Sequence, residues 1–330
     1  MANPVRSDVH VNRPLSAIAV ATIQSQTDFV HSLVAPVVPV LKQSDRYFVY
    51  TRDYWFRALA EQRAPATESV GSGWHIDSTP TYFCSKWSYH VDVDDDTRQN
   101  CDDPIDLDRD AAEFLTQGMW RRRESIFMQR FMSPGVWGGL ITTNSLGVKA
   151  PEDFSPDIQW DQANANPMAD VAKLKTAIKR TTSLDVNTMV VTHDVNEALK
   201  QNALVIDRIK YTQKGIATEQ LLAELFGVDK YLVASAVVNS AQEGQLAEYD
   251  FLINNKMLLT YVAPTPGIMK PSSMYNFSWS GLYGGSNFGT RIRTMRMDHL
   301  CADRIEIDCA FDMHIVSPDL GILGTNLISG

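Results

Sequence analysis

The stretch Thr79-Pro-Thr-Tyr-Phe-Cys-Ser-Lys-Trp-Ser-Tyr-His-Val-Asp-Val93 reads as a strand with one buried face. Trp87, Tyr89, Val91 and Val93 alternate with Ser88, His90 and Asp92. That is the period of two at which strand side chains change face. Upstream, Arg46-Tyr-Phe-Val-Tyr-Thr-Arg-Asp-Tyr-Trp-Phe-Arg57 is rich in aromatic and β-branched residues, a second strand signal. Between the two, Ala60 to Ser78 carries Pro65, Gly71 and Gly73 among small polar residues, which marks a loop. Residues 46–96 are therefore expected to form a long two-stranded projection with a flexible tip. An isolated hairpin is at best marginally stable in water, so about fifty residues spent on one require a partner surface. That surface is either another molecule or the chain's own domain.

Downstream the period changes. Leu107-Asp-Arg-Asp-Ala-Ala-Glu-Phe-Leu-Thr-Gln-Gly-Met-Trp-Arg-Arg-Arg-Glu-Ser-Ile-Phe-Met-Gln-Arg-Phe131 places Ala111, Phe114, Leu115, Met119, Ile126 and Phe127 near helical spacing. Asp106, Asp108 and Asp110 stand at its start, while Arg121, Arg122, Arg123 and Arg130 stand late. That order suits the helix dipole. Pro134 and Gly135 stop the helix, whose length at 1.5 Å per residue is roughly 38 Å. Residues 1–45 show no clear period and hold Pro4, Pro14, Pro36 and Pro39. They read as an extended arm with one short helix between Ile18 and Leu33.

Residues 134–167 are loop-rich. Beyond them helices are expected at Ala169–Arg180, Asp194–Gln201 and Thr218–Phe226. Strands are expected at Thr188–Thr192, Tyr231–Val238, Met257–Val262, Tyr275–Ser280, Arg291–Met297 and Arg304–Ile315. The 330 residues, 44 % hydrophobic and 21 % charged, suit a globular α+β chain of about two domains.

The formal net charge of −9 carries no dominant basic patch, the densest basic run being Arg121 to Arg123. Tight gripping of nucleic acid is not expected, whereas enclosing DNA without binding its sequence is compatible with like-charge repulsion. Cys84, Cys101, Cys301 and Cys309 form no C-x-x-C pair, which fits free thiols in a reducing compartment and no zinc site. No apolar run approaches the ~20 residues of a membrane span, and Met1 to Ser7 is not a signal peptide. Synthesis in a cytoplasm is expected.

Three motifs invite chemistry. Asp92-Val-Asp94-Asp-Asp96 begins like a calcium loop, but Thr97 stands where the turn needs glycine and Asp103 where glutamate is needed. Val190-Val-Thr-His193-Asp-Val-Asn-Glu-Ala-Leu199 is similar to the switch-histidine region of transporter-type ATPases, and a nucleotide hydrolase built around His193 is the reading from another class. No Gly-Lys-Ser or Gly-Lys-Thr phosphate loop accompanies it. Gly281-Leu-Tyr-Gly284-Gly285-Ser-Asn-Phe-Gly289 lacks dinucleotide spacing. No catalytic constellation and no cofactor site is expected.

Tyr82-Phe-Cys-Ser-Lys-Trp-Ser-Tyr-His-Val-Asp-Val-Asp-Asp-Asp-Thr-Arg98, continuing through Leu107 to Leu115, resembles the major capsid proteins of tailed bacteriophages. So do Ile206-Asp-Arg-Ile-Lys-Tyr-Thr-Gln-Lys-Gly215, Leu221-Leu-Ala-Glu-Leu-Phe-Gly-Val-Asp229, Leu258-Leu-Thr-Tyr-Val-Ala-Pro-Thr-Pro-Gly267 and Tyr275-Asn-Phe-Ser-Trp-Ser-Gly281. The likeness runs from about Arg46 to the C-terminus, and its specificity lies in the order of the pieces. It implies the Hong Kong ninety-seven type of capsid fold. Residues 1–45 would be the N-terminal arm and 46–96 the extended loop. Residues 97–167 with 290–330 would be the peripheral domain with its spine helix, and 168–289 the axial domain.

The resemblance further implies self-assembly into hexamers and pentamers of an icosahedral shell around double-stranded DNA. Separate scaffolding, portal and cement proteins are possible partners, and the virion capsid would be the destination. The alternative within the fold is a nanocompartment shell around protein cargo. The implied contact residues are Arg57, Glu61, Arg63, Glu68 and Trp74 on the loop and Arg121, Arg122 and Arg123 on the helix. Some relatives cross-link through a lysine in the loop. Here Lys86 lies on a strand, so locking without a covalent bond is expected.

Overall fold

The computed structural model describes residues 29–50, 56–74, 76–101, 105–138, 141–143, 149–210, 218–242, 244–267, 270–281 and 290–329. Most of the expected arm, residues 51–55 of the first expected strand and nearly all of the glycine-rich segment lie outside the described residues. In chain order the elements begin with α1 (His31–Val34), β1 (Val37–Val40), β2 (Ser44–Arg46), β3 (Val49–Tyr50), β4 (Ile76–Asp77), β5 (Thr81–Phe83), β6 (Ser85–Asp94), α2 (Asp95–Gln99) and α3 (Leu107–Phe131). The middle holds β7 (Ile141–Thr143), β8 (Lys149–Pro151), α4 (Pro167–Thr182), β9 (Thr188–Thr192), α5 (His193–Gln201), α6 (Ala203–Ile209) and α7 (Glu219–Phe226). The chain continues with β10 (Lys230–Ala234), β11 (Val237–Asn239), β12 (Tyr249–Phe251), β13 (Lys256–Thr260), β14 (Met274–Trp279), β15 (Thr290–Met297), β16 (Ala302–Ile315) and β17 (Gly321–Thr325).

The long helix α3 forms where its spacing predicts. Asp106 caps it, its carboxylate accepting from the amides of Asp108 and Arg109 at 3.2 Å. Leu115, Met119, Phe127 and Phe131 are buried. Phe114, expected in the core, is half exposed and leans on Tyr89 with ring centroids 5.8 Å apart.

The surface under α3 is a five-stranded sheet centred on β16. One edge of β16 pairs antiparallel with β6. The other pairs with β15 and then β14, which carries β1 in parallel. Along β16, Ile305, Ile307, Cys309, Phe311 and Met313 enter the core shared with α3. Arg304, Glu306, Asp308 and Asp312 point to the other face, as a period of two requires. Trp87, Tyr89, Val91 and Val93 of β6 join the same core, so the alternation read from sequence holds. Among the described residues the expected two-stranded projection is present only as a short ladder. The partner of β6 is β16, because only there does its apolar row meet a matching row under a helix. The ladder between 44–50 and 76–83 is confined to β2 with β5 and β3 with β4, and residues 56–74 carry no strand.

The second sheet runs β10-β9-β13-β17. Its alternate residues serve two cores. Val190, Leu258 and Leu323 face the core of α3, while Met189, Val191, Met257, Leu259 and Ile322 meet α4, α5, α6 and α7. Thr188–Thr192 is consequently buried throughout. The strands cross the division expected at 168–289 and 290–330 twice. Met274–Trp279 lies in the sheet of β16, and Gly321–Thr325 pairs with β13. The strand β17 carries a weak strand pattern, because Gly321-Ile-Leu-Gly-Thr325 holds two glycines. Gly321 is required by contact: a Cβ there would sit 2.2 Å from Cε3 of Trp137. The expected strand 231–238 breaks into β10 and β11, and α6 was not anticipated.

Two buried or bridging polar features hold these layers. Glu124 of α3 is fully buried and accepts from the amides of Val30 (3.2 Å) and His31 (3.0 Å) and from Nδ1 of His31 (2.7 Å). It thereby binds α1 to the long helix, with Phe29 and His31 edge-on to Trp120. On the polar face of the first sheet, ion pairs run across the strands. Arg304 grips Asp92 at 2.7 and 2.8 Å and Arg293 meets Glu306 at 3.0 Å, while on the helix side Arg98 of α2 joins Asp303 of β16 (2.6 Å) to Asp108 of α3 (2.7 Å). Arg296 joins that helix-side group, pairing with Asp95 at 2.7 Å, and on the polar face the buried Asp308 accepts from Ser88 (2.7 Å) and Arg291 (3.1 Å). Asp92 and Asp95 of the calcium-like run are thus engaged by arginine, and Asp94 caps α2 through the amide of Thr97 at 2.8 Å.

Removing the Glu124 carboxylate by Glu124→Ala leaves two buried amides unpaired and should cost about 2–3 kcal/mol. Urea denaturation reads the loss, and faster hydrogen exchange at Val30 and His31 localises it. The carboxyls of Asp92, Asp95 and Asp303 are held below the ordinary carboxylate range, first by hydrogen bonds from Arg304, Arg296 and Arg98 respectively. A carboxyl whose folded pKa is depressed stabilises the fold fully above its unfolded pKa of about 3.9 and loses that contribution as pH falls through the folded value. The urea midpoint should therefore hold from neutral pH to about pH 5 and decline below about pH 4. Asp92→Asn should lower the neutral plateau and flatten the acid limb.

Candidate assembly interface

The segment 56–74 stands on a rigid root. Tyr82, Cys84, Tyr275 and Phe277 form a small separate core, with Tyr47, Val38, Val40 and Trp279 packed against it. Tyr82 stacks on Phe277 with centroids 4.7 Å apart. Asp312 fixes the root to the sheet. It accepts from the amide of Phe83 (2.9 Å), from Arg130 of α3 (2.6 Å) and from Nε2 of His314 (2.7 Å). Burial pushes its carboxyl up, but His314, the Phe83 amide and Arg130 outweigh burial and hold it below the ordinary range. The Cys84 thiol is pushed up to about 12, by burial first and then by Asp312 and Cys309. It stays protonated and is a packing group rather than a nucleophile.

Beyond this root, apolar side chains meet no core of their own. Phe48, Phe56, Val70, Trp74 and Phe83 are exposed, Trp74 to 66 %. Local order is limited to a turn at Ala66 (φ 63°), where the Thr67 hydroxyl donates to the Ala64 carbonyl at 2.8 Å and Nε of Arg63 to the Thr67 carbonyl. Arg57, Glu61, Arg63, Glu68 and Trp74 are all exposed along this segment. They line one excursion of the chain, with aromatic and charged groups interleaved.

The three arginines of α3 do not act together. Successive helix residues turn by about 100°, so no three neighbours share a face. Arg123 is 6 % exposed. Its guanidinium donates to Thr290 Oγ1 (3.0 Å) and Cys309 Sγ (2.7 Å) and lies 5.1 Å from the Phe311 ring centroid. It is part of the fold and cannot meet a neighbour. Arg122 is exposed and covers Trp87 at 4.6 Å, and Arg121 is half-buried. Lys86 lies on β6 and sits 3.4 Å from Asp308.

His193, weighed above as a nucleotide sensor, stacks on Phe251 with centroids 4.9 Å apart. Its neighbour Asp194 accepts from the amide of Asn255. Asn255, in the left-handed region at φ 54°, accepts from the amides of Leu327 (2.7 Å) and Ile328 (3.0 Å). The motif thus anchors the C-terminal segment. Among the described residues no group of three His, Cys, Asp or Glu is placed to hold a metal ion, and no helix is long and apolar enough to cross a membrane. Sequence reasoning missed Asp312, Glu124 and Asn255. Each acts on a partner far along the chain, and only Asp312, a charge inside the apolar run Cys309–Met313, was marked out by its surroundings.

No protein-family profile matches the chain. One curated relative, the major capsid protein of Burkholderia phage BcepMu, is 25 % identical over 221 residues, which are 64 % of this chain and 66 % of that protein. The chain thus matches just under two thirds of its relative's length. Among solved structures, a phage-related protein from Bordetella bronchiseptica superposes with a TM-score of 0.68 at 16 % identity, over 92 % of this chain and 94 % of that one. The mature capsid of bacteriophage PhiM1 gives 0.57 at 9 % identity, over 98 % of each chain. The SrpI encapsulin of Synechococcus elongatus gives 0.53 at 14 %, over 97 % and 96 %. With its long helix laid across a sheet, its second sheet under four helices and its rooted excursion at 56–74, this chain has the Hong Kong ninety-seven type fold of phage capsid subunits.

Proposed function

We propose that this chain is the major capsid protein of a tailed phage and self-assembles into hexamers and pentamers of an icosahedral shell around double-stranded DNA. The observation that carries this reading is the excursion 56–74. It exposes Phe56, Val70 and Trp74 on a segment without strands or a core, yet its root is fixed by Asp312 and a packed aromatic cluster. A fixed root with an uncovered apolar end suits a segment whose burial comes from a neighbouring copy. Contacts between different patches of identical chains propagate around an axis and close into rings. The net charge of −9 suits a wall that confines DNA without gripping it. The role is structural, the subunits being made in a host cytoplasm and ending in the virion wall, with no covalent lock through Lys86.

The whole-chain likeness to an encapsulin favours a second reading, a shell around protein cargo. The stronger support for a phage wall is the curated relative, whose likeness extends to sequence.

Expression of the chain should give closed particles by electron microscopy. Replacing residues 58–73 by a short glycine-serine linker should abolish closed particles and leave the thermal midpoint of the subunit within a few degrees, because that segment supplies no core. Particles that persist without the segment would refute its role. Particles from infected cells that protect nuclease-resistant DNA support the phage reading, and particles filled with enzyme and free of DNA support the compartment.

A further inference from the structure

A second pair of surfaces on this chain is complementary. Helices α4, α6 and α7, on the outer side of the second sheet, enclose an open groove of about 520 Å³. Its apolar walls include Met168, Ala172 and Leu225, and its cationic groups are Lys175, Lys179 and Arg208. Lys175 is held in the wall of the groove, its Nζ donating to the carbonyls of Phe226 (3.0 Å) and Gly227 at the end of α7. Lys179 pairs with the exposed Asp185 at 2.9 Å, and Arg208 is exposed. The site is therefore lined by polar and apolar side chains in similar measure and carries a surplus of positive charge.

The matching shape is the hairpin β11–β12, which follows the edge strand β10. Its end exposes Leu246 to 95 % and Tyr249 to 74 %. Glu248 and Asp250 are exposed beside them, and no lysine or arginine occurs between Val237 and Asn255. An exposed leucine and tyrosine whose only charged neighbours are acids fit a groove that offers Met168, Ala172 and Leu225 beside lysine and arginine. The hairpin and the groove are different patches of one chain, so joining them between copies makes a head-to-tail contact, the kind that closes rings.

We infer that the hairpin end of one subunit docks in the α4–α6–α7 groove of the next copy, with Leu246 against Met168, Ala172 and Leu225 and Glu248 against Arg208. This contact rests on the shell reading and names the surfaces that would close each capsomer ring.

Cysteine trapping tests it on assembled particles. In a Cys301→Ser background, which removes the exposed native thiol, Leu246→Cys and Ala172→Cys together should give a ladder of covalent multimers on mild oxidation. Neither substitution alone should do so. Arg208→Glu should raise the subunit concentration needed for assembly at least about tenfold, and adding Glu248→Arg should restore most of it. Particles that assemble from the double-cysteine chain without a ladder, or with only an internal disulfide, overturn the docking and leave the shell reading standing. They would point instead to a separate acidic protein in the groove. An unmodified chain that stays monomeric under all conditions overturns both.

Discussion

The pairing of β16 beneath the long helix is the constraint on which the rest of the structure depends. Fourteen residues of one strand carry three neighbouring strands and the floor for α3. The strict alternation along it makes a one-residue slip intolerable. Such a slip would turn Ile305, Ile307, Phe311 and Met313 to the polar face and bury Arg304 and Glu306 under the helix. The ion pairs on the outer face reinforce that choice, since Arg304 reaches Asp92, and Arg293 reaches Glu306, only in the native register. Each partly exposed pair adds little stability by itself. Their combined effect is to disfavour slips that oppose like charges, such as Arg293 with Arg304 or Glu306 with Asp92.

Buried polar groups fasten the peripheral pieces to this frame. Glu124 binds α1, Asp312 binds the root of the excursion, and Asn255 binds the C-terminal segment. In each case a side chain satisfies backbone amides in short segments whose sheet or helix partners are few. Lys256 does the converse, donating from β13 to the Met132 carbonyl at the end of α3 at 2.7 Å, and so ties the second sheet to the long helix. A subunit built this way has a stiff centre and surface segments directed by fixed roots.

The sequence by itself determined the frame. The period of two in Ser85–Asp94 and of 3.6 in Leu107–Phe131 depends on neighbours only in that one side must be covered, so both were legible, the helix to its last residue. Most later strands and helices followed for the same reason, and the loop at 60–78 was legible from its glycines, prolines and small polar residues. Tertiary structure alone decided the partnerships. The choice of β16 over residues 46–57 as partner of β6 rests on two apolar rows meeting under one helix, which pattern within a segment cannot show. The crossing of Met274–Trp279 and Gly321–Thr325 between the sheets rests on the same matching of faces. The burial of Arg123 beside Cys309 and Phe311 follows from the angle at which α3 crosses the sheet, so a run of three arginines that reads as one patch is divided into a core residue and two surface ones.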